Sequence, residues 1–115
     1  RRVRTLLSTD LARAWEIGEV CQRLATSESA LRRHLKAENT GFRELLHELR
    51  MVTALTLLLQ TSHPVYRIAC DCGYQSVPRF TTNFHQRFGL PPKALRTTVT
   101  ETGKKLDVHG HPTAA

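Results

Sequence analysis

One arrangement of residues occurs twice in this chain and limits what it can fold into. Val20-Cys21 precede Leu24-Ala25, then Ser27, then Leu31 and Leu35; Ile68-Ala69 precede Cys72-Gly73, then Ser76, then Phe80 and Phe84. Cys21 and Ala69 are 48 positions apart, and Leu31 and Phe80 are 49 apart. The extra position predicts a second turn one residue longer than the first. Each copy reads as a short helix, a tight turn and a serine-capped helix, which is a helix-turn-helix. Two helices that cross closely need a small residue at the crossing, and Cys21 and Ala69 hold that place. The turn needs a residue of low steric cost, and Ala25 and Gly73 fill it.

Apolar periodicity near 3.6 residues runs through the rest of the chain, and strand-like alternation is absent. Val3, Leu6, Leu7 and Leu11 predict a first helix at about 2–13, and Ile17, Val20, Cys21 and Leu24 a short second one. Ser27 caps a third at about 28–38, with Glu28 in its first turn where the helix dipole favours an acid. Asn39-Thr40-Gly41 breaks the pattern. A connector helix follows over about 42–61, carrying Phe42, Leu45, Leu46, Leu49, Val52, Leu55, Leu58 and Leu59, until Ser62-His63-Pro64 ends it. Val65, Ile68, Ala69 and Cys72 form a fifth helix. A sixth runs from its Ser76 cap to Gly89, with Pro78 tolerated in its first turn and Phe80, Phe84 and Phe88 as a core stripe. Pro91-Pro92 open a last one reaching about 98. The expectation is an all-α domain of about seven helices over 1–99: subdomains at about 1–40 and 64–99, joined by the connector. Residues 100–115, with two glycines, a proline and few apolar side chains, are expected to be a disordered tail. A start at Arg-Arg-Val-Arg without methionine leads us to expect a fragment that lacks a preceding regulatory domain.

The 115 residues carry a net charge of +7, which calls for a polyanionic partner. The longest apolar run, Leu57-Leu58-Leu59, cannot span a bilayer, and no signal peptide is visible, so no membrane role is expected. Three cysteines, an odd number, point to a reducing compartment rather than a disulfide framework. Cys70 and Cys72 form a C-x-C, but on a helix they diverge by roughly 200° and cannot share a tetrahedral ion. Cys72 is expected to pack beneath the turn, with Cys70 nearer the surface. No catalytic triad spacing, carboxylate pair or glycine-rich phosphate loop is present, so no enzyme activity, metal or cofactor is expected.

The residues from Trp15 to Arg96 resemble the DNA-binding domain of the AraC/XylS family of bacterial transcription regulators. The resemblance rests on Trp15-Glu16, Ser27-x-x-x-Leu31-x-Arg33, Leu35-Lys36, Leu49-Arg50-Met51, Ala54 and Leu57-Leu58. It continues through Ile68-Ala69, Gly73-Tyr74, Ser76, Phe80, Phe84, Phe88-Gly89, Pro92 and Arg96. It implies a two-lobed domain that binds double-stranded promoter DNA through two recognition helices in adjacent major grooves. It further implies RNA polymerase as a partner, dimerisation through a companion N-terminal domain, and a cytoplasmic, nucleoid-associated location. The chain departs from the family pattern at Asn39-Thr40-Gly41, at Leu95, where an aromatic is common, and at Val77-Pro78, which bring no hydrogen-bonding side chain to the second recognition helix.

On the first recognition helix, Ser29, Arg32, Arg33 and Lys36 lie away from the core stripe. Arg32 and Arg33 match base-reading positions of the family, and an arginine fork suits guanine O6 and N7. On the second, Arg79, Thr82 and Asn83 are the base-reading candidates, with Gln86 beside them. The expected phosphate contacts are Thr26, Ser27, Lys36, Gln75, Ser76, Gln86, Lys93 and Arg96, placed at helix starts or late in the chain. Arg50 is open between phosphate and structural roles, and Trp15 is expected in or beside the core. A non-specific basic domain for DNA or RNA, and an all-α protein-interaction module, are the rival readings. A metal-dependent enzyme is a more distant one.

Overall fold

The computed structural model describes residues 2–98. The expected tail over 100–115 lies outside them. Six helices run α1 (Arg2–Ser8), α2 (Ile17–Leu24), α3 (Glu28–Ala37), α4 (Phe42–Gln60), α5 (Val65–Asp71) and α6 (Val77–Phe88). A seventh helical segment, α7, covers 92–98. No strand occurs among the described residues.

Two separate cores explain the layout. Val3, Leu7, Leu11, Trp15, Val20, Cys21, Leu31 and Leu35 close one core together with Leu45 and Leu46 from the start of α4. Met51, Ala54 and Leu58, further along α4, join Ile68, Ala69, Cys72, Phe80 and Phe84 in the other. The connector thus belongs to both lobes, because its apolar residues are partitioned along its length. The phenylalanine stripe of α6 packs as expected. Phe80 and Phe84 are fully buried, with ring centroids 5.8 Å apart, and Phe84 and Phe88 are 4.7 Å apart.

The two turns are closed by the same hydrogen bonds. Thr26 N–H reaches back to Cys21 O at 3.0 Å, and Tyr74 N–H to Ala69 O at 2.9 Å. These six-to-one bonds require a left-handed residue just before them. Ala25 (φ 55°) and Gly73 (φ 92°) supply it. Ser27 Oγ then accepts from Ala30 N–H at 3.1 Å, and Ser76 Oγ from Arg79 N–H at 3.2 Å. Two positions separate Ala25 from Ser27 and three separate Gly73 from Ser76, so the second turn is the longer one. Asn39 (φ 62°) ends α3 in the same left-handed way.

One boundary differs from the periodicity. The first helix stops at Ser8 rather than near residue 13. Leu11 is still buried, so the apolar spacing was real, but the backbone after Ser8 is not helical. Tertiary donors take the carbonyls of that segment. Trp15 Nε1 donates to Asp10 O at 2.8 Å, and Arg50 donates to Leu11 O and Arg13 O, both at 3.0 Å. Trp15 is buried in the first core. Arg50 therefore has a structural role: from α4 it holds a loop of the first lobe. The turn at Gly73 lies against the same place, where a Cβ would come within 2.8 Å of both Leu11 O and Arg50 Nε.

Candidate nucleic-acid interface

In each lobe the helix after the turn (α3 or α6) buries one stripe and exposes the rest. Leu31 and Leu35 anchor α3, leaving Ser29, Arg32, Arg33 and Lys36 exposed. Phe80 and Phe84 anchor α6, leaving Arg79, Thr82 and Gln86 exposed and Asn83 half-buried. The major groove of B-form DNA admits an α-helix, and each of these two presents an exposed polar face. Thr26, Ser27, Gln75 and Ser76 lie exposed at the helix starts, and Lys93 lies exposed on α7. The cap geometry leaves the Ser27 and Ser76 hydroxyl protons free to donate, since both oxygens act as acceptors toward the helix.

The candidates differ in how their side chains are occupied. Arg32 donates to Glu28 Oε2 at 2.6 Å across one helical turn, an exposed pair of little energetic weight that DNA can displace. Asn83 Nδ2 donates to Arg79 O at 2.8 Å, which leaves its second N–H and its Oδ1 for another partner. Arg96, expected on phosphate, is instead directed inward from α7. It donates to Thr61 O at 3.0 Å and to His63 O, over the end of α4. A helix C-terminus leaves carbonyls unpaired and favours a cation there, so this arginine caps the connector.

The partition of positive charge is more selective than the sequence suggests. Arg4 pairs with Glu38, Arg13 and Arg23 with Glu19, Arg67 with Asp71, and Arg87 with Glu48. Arg2, Arg50 and Arg96 serve backbone carbonyls. Arg33, Arg43 and Arg79 make no side-chain hydrogen bond or ion pair with any described residue. Two of the three lie on α3 and α6. Arg43 is the one that had not been singled out. It lies in the first turn of α4, and its sequence signal is a basic stripe, Arg43, His47 and Arg50, at i, i+4 and i+7.

Two clefts flank Arg43. One, of about 410 Å³, separates α4 from α6 and is lined by Arg43, His47, Arg50, Arg79 and Asn83, with the turn at Gly73–Gln75 closing it. The other, of about 390 Å³, brings Arg32 of α3 beside Arg43, with Glu16 and Glu44 on its rim.

Cys21 and Cys72 take packing roles, one in each core. Cys72 is fully buried and Cys70 exposed. Burial, with a contribution from Asp71, pushes the Cys72 thiol up to about 11, so it stays protonated at neutral pH. No helix among the described residues is long and apolar enough to cross a membrane.

Residues 20–98 match a family model described as a helix-turn-helix domain. The chain is 35% identical over 96 residues to the DNA-binding dual transcriptional regulator Rns of Escherichia coli, covering 84% of this chain and 36% of that protein. The chain thus spans about a third of the length of that relative. Among solved structures, a DNA-binding transcriptional dual regulator from Escherichia coli K-12 superposes with a TM-score of 0.82 at 31% identity, covering 87% of this chain and 90% of that one. The C-terminal domain of AraT, a response regulator from Geobacillus stearothermophilus, superposes with a TM-score of 0.75 at 32% identity, covering 85% and 83%. The doubled helix-turn-helix, the two cores sharing one connector and these likenesses agree: the chain belongs to the helix-turn-helix domain family of AraC-type transcription regulators.

Proposed function

We propose that this domain binds double-stranded promoter DNA in a sequence-specific manner at a two-part site, with α3 in one major groove and α6 in the next. The observation that carries the reading is the repeated unit itself. Two turns closed by the same six-to-one bond each lead into a serine-capped helix whose exposed face carries an arginine with no side-chain partner among the described residues. The connector α4 has 19 residues, about 28 Å of helix. That length is comparable to the ~34 Å between successive major grooves on one side of the duplex. Docking both helices from a rigid connector favours some bending of the DNA.

Arg33 and Arg79 are the first candidates for base reading, followed by Arg32 once released from Glu28. Ser29, Thr82 and the rest of the Asn83 amide are smaller contributors. Thr26, Ser27, Lys36, Gln75, Ser76, Gln86 and Lys93 position the phosphates. Val77 and Pro78 open α6 with apolar surface suited to a thymine methyl. The binding unit is 1–99, with lobes at about 1–40 and 64–99. Curated relatives much longer than this chain support a companion domain in the intact regulator, with dimerisation, contact with RNA polymerase and nucleoid association as part of the same proposal.

Selection from random duplexes tests the reading. The expected product is a pair of short motifs about one helical turn apart. Arg33→Ala then relaxes preference within one motif only, with a loss there of about 1–3 kcal/mol of discrimination. Recovery of no preferred sequence, or equal weakening on every duplex, removes base reading by α3.

A further inference from the structure

The charge partition leaves Arg43 unexplained by base reading. It is on neither recognition helix, yet it is exposed and has no side-chain partner among the described residues. It borders both clefts, one reaching Arg32 of α3 and the other Arg79 of α6. It therefore lies between the two helices. We propose that Arg43, supported by His47, seats the DNA backbone between the two half-motifs in the cleft between α4 and α6.

Three observations make that cleft a phosphate seat. No carboxylate among the described residues lines it, whereas Glu16 and Glu44 border the cleft on the α3 side. Arg50 lies in its wall and bonds only to carbonyls, so its charge is not cancelled by an acid. His47 Nδ1 lies 3.4 Å from the Tyr74 hydroxyl, which places the imidazole at the wall of the cleft. A phosphate there meets a focused positive field and a free guanidinium with several N–H donors. The contact is blind to base identity, so it adds affinity and fixes the spacing between half-motifs rather than reading sequence.

The inference rests on the DNA-binding reading, and the test separates the two. The 115-residue chain, with Arg43→Ala and Arg43→Lys, is titrated against a selected duplex and a scrambled one. It is also titrated against the selected duplex with methylphosphonates replacing the phosphates between the half-motifs. Arg43→Ala is expected to weaken both natural duplexes by the same factor and to reduce the salt slope by about 0.9. Its deficit relative to wild type therefore shrinks by about 3.5-fold between roughly 50 and 200 mM salt. The wild type is expected to lose affinity on the neutral-spacer duplex, Arg43→Ala to lose no more, and Arg43→Lys to stay close to wild type. Wild-type affinity in Arg43→Ala, or undiminished sensitivity of that variant to the neutral spacer, overturns the proposal and leaves the DNA reading standing. A wild type that prefers no duplex overturns both.

Discussion

Ala25 and Gly73 hold equivalent positions in the two turns, and both have positive φ. Glycine adopts that conformation without a steric penalty, while an L-residue with a Cβ is strained by roughly 1–2 kcal/mol. The first turn therefore carries strain that the second does not. Ala25 is exposed, so its methyl group contributes little packing in return. Ala25→Gly should stabilise the domain by about 1 kcal/mol, which for a domain of this size raises the thermal midpoint by about 4–8 °C. A calorimetric scan of the two proteins checks this; a lower midpoint in the variant would contradict the strain account. The same scale shows the limit of reading charge from sequence. Arg33, Arg79 and Arg96 are all arginines on a basic domain. Only the fold shows that two have no side-chain partner among the described residues and that the third is bonded to the carbonyls of Thr61 and His63.

Among the elements, α4 does the most. It supplies both cores, and through Arg50 it holds the loop that follows α1. The turn at Gly73 meets Arg50 and Leu11 O at that point, so one guanidinium joins the connector, the first lobe and the second turn. Arg50→Ala removes two hydrogen bonds and leaves the half-buried Leu11 carbonyl without its partner. A loss of about 1–3 kcal/mol is expected in denaturant unfolding. Arg50→Lys keeps the charge but lacks the fork that spans two carbonyls, so it should recover only part of the loss. Full recovery by lysine would show that charge, not geometry, is what the loop requires.

For the whole molecule, ion pairs tie the lobes and helices at their rims. Glu48 of α4 accepts two bonds from Arg87 of α6, at 2.8 and 2.6 Å, and Glu38 after α3 pairs with Arg4 of α1. Hydrogen bonds from Arg87, Arg4 and Arg13 respectively hold Glu48, Glu38 and Glu19 below the ordinary carboxylate value of 4.5. A depressed carboxylate stabilises the fold above its unfolded pKa, and the contribution disappears as pH falls through the folded value. The thermal midpoint should thus be insensitive to these groups near neutrality and decline below about pH 4.5. Solvent screening keeps each contribution modest. Glu48→Gln should flatten part of that acid limb; an unchanged limb would mean the α4–α6 pair carries no stability.

Most of the fold was legible because it depends on local chemistry repeated along the chain. Small residues at the crossings, a left-handed position in each turn, serine caps, prolines at helix starts and 3.6-residue apolar spacing determined seven helices, two helix-turn-helix units and the faces that α3 and α6 expose. These signals act within a few residues, so sequence carries them. The tertiary structure alone decided where α1 stops, what Arg50 and Arg96 bond to, and that Arg43 and Arg79 line one cleft beside the connector without a side-chain partner among the described residues. Those outcomes depend on backbone carbonyls and carboxylates brought close from 30 or more positions away. Such contacts arise only once the two lobes have closed around α4.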